Sequence, residues 1–283
     1  MTLGKFLSVA LVSSSSAIAE PTLERGEYLV EGPAGCGNCH TPMGPNGPIE
    51  GMNIAGRLVE KNPQFTAIAP NITPGGRVSN WTDEEFARAI REGVTPDSAR
   101  VIGPPMPIAL YRRLSDDDVF SIIKYLRTVP AVENDPGESD YNIPLPPAYG
   151  PPVGSVPHPE EGITVEYGEY LAGPVAHCIE CHSPMGPQGP DWINQLGAGG
   201  FKFNGPWGTS VSANLTPHEE DGIARWTDDE LKQMITTGLR PDGSQMMPPM
   251  GYHHYAQLKP DDLDAIILYL RQLPAVPDPT QSE

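Results

Sequence analysis

The chain has 283 residues, a formal net charge of −18 and a hydrophobic fraction of only 38%. This acidity argues against nucleic acid and anionic membrane surfaces as partners, and it favours proteins with basic surface patches. With 30 glycines and 34 prolines, the chain is too poor in apolar side chains to build two sizeable cores unaided, so we expect a bound apolar group to complete them.

The first 19 residues have the pattern of a secretory signal. Lys5 is followed by a short apolar run from Phe6 to Val12 and then by Ala17-Ile18-Ala19, a small-residue cleavage site. The apolar run is far shorter than the roughly 20 residues that span a bilayer. We therefore predict a cleaved signal peptide over residues 1–19 and a soluble, periplasmic product with no transmembrane segment.

A Cys-x-x-Cys-His pentad occurs twice, as Cys36–His40 and as Cys178–His182, and the two pentads use all four cysteines. This spacing is typical of c-type haem attachment, in which both thiols bond to the porphyrin and the adjacent histidine becomes the proximal iron ligand. The sequence therefore predicts two covalently bound haems c. The predicted attachment residues are Cys36, Cys39, His40, Cys178, Cys181 and His182.

Other uses of paired cysteines fit less well. The two pairs of a four-cysteine zinc site usually lie within about 20 residues of each other, whereas Cys39 and Cys178 are 139 residues apart. A thioredoxin-like pair needs a βαβ pattern, which is not visible in the sequence. Neither these sites nor structural disulfides explain why a histidine follows both pairs.

Helix signals dominate the rest of the chain. Thr82 with Glu85, and Thr227 with Glu230, form capping-box patterns at the start of two helices. A further helix is predicted from Ser115 to a stop before Pro130, and its counterpart from Pro260 to a stop before Pro274. With a short helix before each pentad, these elements predict an all-α fold without strands.

The sixth iron ligand is predicted to be methionine in both sites. In the first repeat no histidine occurs between His40 and His158, and no cysteine is spare. Met43 lies too close to His40 to reach the opposite face of the ring, whereas Met106 follows Pro-Pro in a stiff loop. Aligning Leu114 with Leu258 places Met106 on Met250, which also follows Pro-Pro.

Alternative methionine ligands stay open in both repeats. Met247 is the alternative to Met250 in the second repeat, and Met52 is a further candidate in the first. His253 and His254 are expected on a polar loop surface. Ligation by histidine and methionine fills both axial positions and raises the reduction potential relative to two histidines. Both effects favour electron transfer over oxygen or peroxide chemistry.

The chain repeats itself at an offset of 142–145 residues. Arg25-Gly-Glu-Tyr-Leu29 matches Tyr167-Gly-Glu-Tyr-Leu171, and Tyr125-Leu-Arg127 matches Tyr269-Leu-Arg271. Between the copies lies a stretch with eight prolines from Pro136 to Pro159, which favours extended chain. We therefore predict two tandem haem domains, residues 20–133 and 163–283, joined by a Pro-rich linker, residues 134–162.

These motifs together resemble a known family. The run Arg25-Gly-Glu-Tyr-Leu, the pentad followed by Thr-Pro-Met, Asn71-Ile-Thr-Pro, Trp81-Thr-Asp-Glu-Glu-Phe, Met106-Pro and Tyr125-Leu-Arg is similar to class I cytochrome c domains. More narrowly, it resembles the cytochrome c subunits of bacterial alcohol, aldehyde and sugar-acid dehydrogenases. The resemblance covers residues 22–132 and 164–276. Those subunits commonly carry three haem domains and this chain has two, which favours a soluble shuttle.

The resemblance implies further haem contacts. Trp81 and Trp226, with Asn71 and Asn214, would lie against the haems; the alternative is that the tryptophans pack as hydrophobic staples and the asparagines form turns. Arg57 would pair with a propionate in the first site alone, because Gly200 occupies the aligned position.

The leading functional hypothesis is a periplasmic di-haem carrier, and not an enzyme, that passes electrons from a dehydrogenase to an oxidase or another cytochrome. The more acidic second repeat, with Asp261, Asp262 and Asp264, would dock a basic partner. One alternative is a subunit bound within a dehydrogenase complex. A di-haem peroxidase or a thiosulfate-oxidising enzyme is less favoured, because the first repeat has no spare histidine and the chain no spare cysteine.

Overall fold

The structure is a computed structural model that describes residues 20–98, 100–186 and 189–279. The predicted signal peptide, residues 1–19, lies outside the described residues. In the described ranges, every helix is too short or too polar to cross a bilayer.

Within these ranges each repeat contributes five α-helices in the same order, and short strands lie between them. The helices are α1 (Leu23–Glu31), α2 (Cys36–His40), α3 (Asp83–Glu92), α4 (Ile108–Tyr111), α5 (Asp116–Leu126), α6 (Val165–Tyr170), α7 (Cys178–Cys181), α8 (Asp228–Thr237), α9 (Tyr252–Tyr255) and α10 (Pro260–Leu270). The strands are β1 (Met43–Gly44), β2 (Gly47–Pro48), β3 (Arg57–Lys61), β4 (Phe65–Ala69), β5 (Asp140–Tyr141), β6 (Met185–Gly186), β7 (Gly189–Pro190), β8 (Lys202–Gly205) and β9 (Gly208–Val211). A 3-10 helix spans Arg77–Asn80, and a π-helical turn spans Leu171–Val175.

The first and last helices of each repeat cross at a glycine. Gly26 of α1 lies against the backbone carbonyl of Ser121 in α5, and Gly168 of α6 lies in the same way against Ala265 in α10. A methyl group at either glycine would overlap that carbonyl oxygen. The Gly-Glu-Tyr-Leu motif is therefore repeated because its glycine permits the closest approach of two helices, and these crossings form the centre of the core.

The predicted helix starts at Thr82 and Thr227 are confirmed. Both threonines accept a hydrogen bond from the backbone N–H three residues on, and Glu85 and Glu230 bond back to the cap backbone. Ser115 caps α5 through the Asp118 N–H, and Pro260 begins α10. Such reciprocal caps satisfy backbone donors that have no partner within the helix.

The predicted all-α class is wrong, because 32% of the described residues are helical and 12% are in strands. The principal strands form hairpins in the long segment between each pentad and the next helix: β3 pairs with β4, and β8 pairs with β9. In the first hairpin, Asn62 Oδ1 accepts the N–H groups of Gln64 and Phe65, which closes the turn. A chain segment that passes between helices must pair its own backbone groups, and a hairpin does so locally.

The Pro-rich stretch 134–162 packs along the first repeat. Its strand β5 pairs with β4, with Tyr141 opposite Phe65. Further along, Arg112 donates to the carbonyl of Pro151, and the Asp116 N–H donates to the carbonyl of Val156 at 2.9 Å. The stretch therefore runs as an extended strap over the first repeat before the second repeat begins at Thr164.

Candidate haem-attachment sites

The first pentad forms the short helix α2. Gly35, in the left-handed conformation with φ 54°, turns the chain into it. His40 is buried, and its Nδ1 lies 2.8 Å from the carbonyl oxygen of Pro70. Because a carbonyl only accepts, Nδ1 carries the proton, and the lone pair of Nε2 is left for a metal ion.

The second pentad repeats this arrangement. His177 takes the left-handed position, with φ 41°, before α7. His182 Nδ1 lies 2.7 Å from the carbonyl oxygen of Ala213, the counterpart of Pro70. Burial lowers the pKa of both His40 and His182, so both imidazoles are held neutral. Neutral, oriented imidazole is the form that ligates iron.

The asparagines of the repeated Asn-x-Thr-Pro motif hold these carbonyls in place. Asn71, directly after Pro70, donates from Nδ2 to the carbonyl of Val132 at 2.7 Å, and its Oδ1 accepts from the Thr73 N–H. Asn214 makes the matching bonds to Val276 and Thr216. The asparagines therefore link the segment under each proximal histidine to the chain beyond the last helix. The bonds to the Thr73 and Thr216 N–H groups are the turns predicted from the sequence as the alternative role of these asparagines, whereas their link to the chain beyond the last helix was not predicted.

Trp81 packs as a hydrophobic staple. Its ring meets Phe86 edge-on, with centroids 5.9 Å apart, across the cap residue Thr82. The carbonyls of Trp81 and Trp226 both accept from an arginine of the repeated Tyr-Leu-Arg motif, Arg127 and Arg271 respectively. In both repeats, the arginine of the Tyr-Leu-Arg motif therefore connects the end of the last helix to the residue that precedes the capped helix.

The loops that present Met106 and Met250 have the same local structure. The carbonyl of Met106 accepts from the Ile108 N–H at the start of α4, and that of Met250 accepts from the Tyr252 N–H at the start of α9. Both methionines are partly buried, whereas Met247 is 44% exposed. The backbone hydrogen bonds therefore place Met106 and Met250 at equivalent positions of the two loops. Their ligation of iron stays a prediction.

Different groups brace the two loops. In the first repeat, Tyr141 and Tyr149 of the strap donate hydrogen bonds to the carbonyls of Pro104 and Ile102, at 2.9 and 2.8 Å. In the second, Ser210 of strand β9 donates to the carbonyl of Pro248 at 2.6 Å. Pro104 and Pro248 occupy equivalent positions. The methionine loop is therefore held by the strap in the first repeat and by the hairpin β8–β9 in the second.

The two repeats meet at a pseudo-symmetric interface. The Tyr170 hydroxyl donates to Asp118 at 2.6 Å, at the start of α5, and the equivalent Tyr28 hydroxyl donates to Asp262 at 2.5 Å, at the start of α10. Tyr170 also accepts from the N–H of the cap residue Ser115. Each repeat therefore supplies a tyrosine that lies on the last helix of the other.

The same interface brings the two pentads close together. The ring of Tyr111 from the first repeat meets the ring of His177 edge-on, with centroids 6.0 Å apart. Burial raises the pKa of Cys181 to about 12, and Cys39 of the other pentad contributes to the rise. All four cysteines are free. The two candidate attachment sites are thus neighbours, a result that the sequence spacing alone does not indicate.

Two expectations about polar residues need correction. His254, expected on a loop surface, is only 6% exposed and lies in the interface. Asp262, expected in an acidic docking surface, is also 6% exposed and accepts from Tyr28. Asp264 pairs with Lys232 at 2.5 Å, so of the three aspartates Asp261 is the exposed one that makes no ion pair within the described residues.

The residues fit covalently bound haem better than zinc. Within residues 20–98, 100–186 and 189–279, no group of three or more histidine, cysteine or acidic side chains is placed to hold a metal ion. By contrast, Arg57 lies beside the first pentad, and its Nε is buried without a hydrogen-bond partner among the described residues. An orphaned guanidinium N–H is what an anionic cofactor substituent needs as a donor. Cysteine pairs with adjacent oriented histidines define a c-type cytochrome.

Comparison with known proteins identifies the class more narrowly. The chain is 30% identical to the fructose dehydrogenase cytochrome subunit of Gluconobacter japonicus, over 90% of this chain and 53% of that protein. It is 31% identical to the cytochrome c subunit of the quinone alcohol dehydrogenase of Gluconobacter oxydans, over 92% and 56%. A di-haem cytochrome c-type protein of Cereibacter sphaeroides is 27% identical over 89% of this chain and 86% of its own length. No protein-family model matches the chain.

The chain is therefore a homologue of bacterial cytochrome c subunits, and the resemblance inferred from its motifs is confirmed. It spans only about half the length of the first two relatives. These relatives are named as cytochrome subunits of dehydrogenases, which agrees with the prediction that this chain is an electron carrier and not an enzyme. Covalent haem c follows from the same kinship.

Proposed function

We propose that this protein is an exported electron carrier with two haems c, attached through the two pentads. His40 and Met106 would ligate one iron and His182 and Met250 the other. The observation that carries the proposal is the repeated geometry of the proximal histidines, each with Nδ1 bonded to a backbone carbonyl and Nε2 left available. Bound haem supplies one-electron redox chemistry.

The protein residues set the conditions for that chemistry. The carbonyls of Pro70 and Ala213 accept hydrogen bonds from the Nδ1–H groups of the two histidines. These bonds fix the orientation of the rings and make Nε2 a stronger electron-pair donor to a metal ion. The braced loops hold Met106 and Met250 in place, and a thioether ligand favours the reduced state. The interface holds the pentads side by side, as a chain that passes electrons from one site to the other requires.

The haem content and ligation are tested by optical spectroscopy of the purified protein in both redox states with a haemochrome assay. We expect two haems per chain and methionine-to-iron charge-transfer absorption. Met106→Ala and Met250→Ala should each remove about half of that absorption, and Met247→Ala, the matched control in the same loop, should remove none. One haem per chain, or a high-spin spectrum of the unaltered protein, would overturn the assignment.

The proposed electron donor is a periplasmic dehydrogenase. The support is that relatives at about 30% identity are named as cytochrome subunits of fructose and alcohol dehydrogenases. Residues 1–19 have the signal-peptide pattern, which supports export. The acceptor is proposed to be an oxidase or another cytochrome, and the second repeat, with 18 acidic and 6 basic residues over 151–283, is proposed to dock a basic partner.

The docking proposal is tested with exposed acids of the second repeat. Asp229→Asn with Asp261→Asn should weaken the salt dependence of partner reduction, because surface charges act mainly on association rate. Glu84, the exposed counterpart of Asp229 in the first repeat, supplies the control substitution Glu84→Gln. If both variants change the salt dependence equally, docking is not specific to the second repeat.

A stably bound subunit is the second candidate, and the names of the relatives favour it. Affinity purification of the protein from its own cells distinguishes the two. Recovery with a dehydrogenase that carries a flavin, quinone or molybdenum cofactor in fixed stoichiometry supports the bound subunit, and recovery of the cytochrome alone supports the shuttle.

A further inference from the structure

His254 belongs to the second repeat by sequence but lies on the pentad of the first. Its imidazole packs against Gly35 and Gly37: a Cβ placed on Gly35 would lie 3.4 Å from Cδ2 of the ring, and one on Gly37 would lie 3.5 Å from Cε1. Nε2 is bonded to both of these ring atoms. The Nε2 edge of the ring therefore faces the segment that carries Cys36.

The hydrogen bonds of His254 fix which nitrogen carries the proton. Nδ1 lies 2.8 Å from the carbonyl oxygen of Glu31, which only accepts, so Nδ1 is the N–H. Gln257 Nε2 donates to the same carbonyl at 2.9 Å. Nε2 of His254 is buried and has no hydrogen-bond partner among the residues that the structure describes. A bare imidazole lone pair thus faces the first pentad.

The interface is unsymmetrical at this position. The residue of the first repeat aligned with His254 is Leu110, which is 3% exposed, in the same turn of α4 as Tyr111. The neighbours on the C-terminal side are alike, since Tyr111 aligns with Tyr255. The second repeat thus presents an imidazole to the opposite pentad, whereas the first repeat has a buried isobutyl group at the aligned position.

We propose that His254 lowers the reduction potential of the haem held by the first pentad relative to that of the second, and so directs electrons from the first site to the second. The lone pair places negative charge density at a buried position beside the first site, where it favours the more positive, oxidised iron. Leu110 has no such effect on the second site. With both haems bound, each transfer would remove one electron from the first iron and add it to the second, with no bond formed or broken and no proton moved. This inference rests on the proposed function.

The test is a spectroelectrochemical titration of the haem-loaded His254→Leu variant, which carries the residue that the first repeat uses. We expect the lower of the two midpoint potentials to rise, with about a tenfold change in the electron distribution between the sites, equivalent to about 59 mV for a one-electron couple. The higher potential should stay in place. His253→Leu, at the exposed neighbouring position, is the matched control and should shift neither potential.

The shifted potential is assigned with a Cys36→Ala, Cys39→Ala background, in which the second haem alone remains and His254→Leu should have no effect. The reciprocal Cys178→Ala, Cys181→Ala background should keep the full shift. If His254→Leu fails to incorporate haem, His254→Gln replaces it. A shift no larger than that of His253→Leu, a downward shift, or a shift of the second haem overturns the inference. Failure of the unaltered protein to titrate as two haems would instead overturn the proposed function.

Discussion

The two repeats present equivalent methionine loops but brace them from different parts of the chain. The first loop is bonded by Tyr141 and Tyr149, which lie beyond the end of the repeat in the strap. The second is bonded by Ser210 within its own hairpin. The strap also adds β5 to the outer edge of β4. Duplicated sequences can therefore keep the same site geometry while its support moves to another segment.

A second contrast concerns charge at the interface. Asp118 accepts two hydrogen bonds from Arg25, at 2.7 and 3.0 Å, besides that from Tyr170. Its counterpart Asp262 has Tyr28 but no arginine, because Tyr167 occupies the position that aligns with Arg25. The half of the interface on α5 is thus a buried ion-pair network. At the start of α10, the Tyr28 hydroxyl donates to Asp262 and accepts from the Lys259 N–H, with no arginine on Asp262 within the described residues.

The largest expected effect tests whether the ion pair of Arg25 with Asp118 makes the α5 half of the interface the more stabilising one. Asp118→Asn removes the buried carboxylate that bonds the Arg25 guanidinium and leaves only the exposed Glu161, at 3.8 Å, as its acidic partner within the described residues. It should lower the free energy of unfolding by about 3–5 kcal/mol. Asp262→Asn weakens one hydrogen bond and should lower it by about 1–2 kcal/mol. Denaturant titration of the haem-loaded protein measures both, and equal losses would show that the arginine adds nothing.

The helix crossings should respond alike in both repeats. Gly26→Ala and Gly168→Ala each force a methyl group onto a backbone carbonyl, Ser121 or Ala265, and overpacking of this kind costs about 1–3 kcal/mol. Thermal unfolding checks the result. Gly154→Ala, where an added Cβ meets no atom within 4 Å, is the control and should leave the midpoint unchanged.

The loop braces should act on one site each. Tyr141→Phe removes the bond to Pro104 and should destabilise the Met106 loop by about 1 kcal/mol, and Ser210→Ala should do the same for the Met250 loop. The measurement is the pH at which the proposed methionine-to-iron absorption is lost as the pH is raised. Each variant should lower that pH for the half of the absorption that comes from its own site. An equal lowering for both halves would contradict independent bracing.

The smallest expected effect is a pH dependence confined to the α5 half of the interface. Burial lowers the pKa of His158, but its bond to Asp118 outweighs this and the net pKa is raised. Its contribution to stability is therefore present below the unfolded histidine value of about 6.5 and is lost as pH rises through the folded pKa. Unfolding measured across that range should show this slope, and His158→Leu should abolish it.

Asp118 has the opposite dependence. Burial raises its pKa, but the bonds from His158 and Arg25 outweigh this and hold the pKa well below its usual range. Its contribution is present above the unfolded aspartate value of about 4 and is lost as pH falls through the folded pKa. The stability loss in acid should therefore persist in His158→Leu and disappear in Asp118→Asn.

Local signals in the sequence predicted the elements whose causes are local. The caps at Thr82 and Thr227 follow from residues three apart, and the pentads follow from cysteine spacing. Strand β5 escaped prediction because it has two residues and pairs Tyr141 with Phe65, which lies far away along the chain. The hairpin β8–β9 is local, but its short strands are mostly exposed and carry little of the apolar alternation that indicates a strand. The burial of His254 escaped because it depends on contact with the other repeat, which leaves no periodic pattern in the chain.

The strap has a consequence for any attempt to excise the first repeat. A fragment that stops at residue 133, where the internal homology ends, would lack both tyrosines of the Met106 loop, the outer strand of its sheet and the carbonyl of Val156 that meets the start of α5. A self-sufficient first half would have to continue to about Pro157. The segment that is duplicated in the sequence is therefore shorter than the segment that could be excised as a self-sufficient first half.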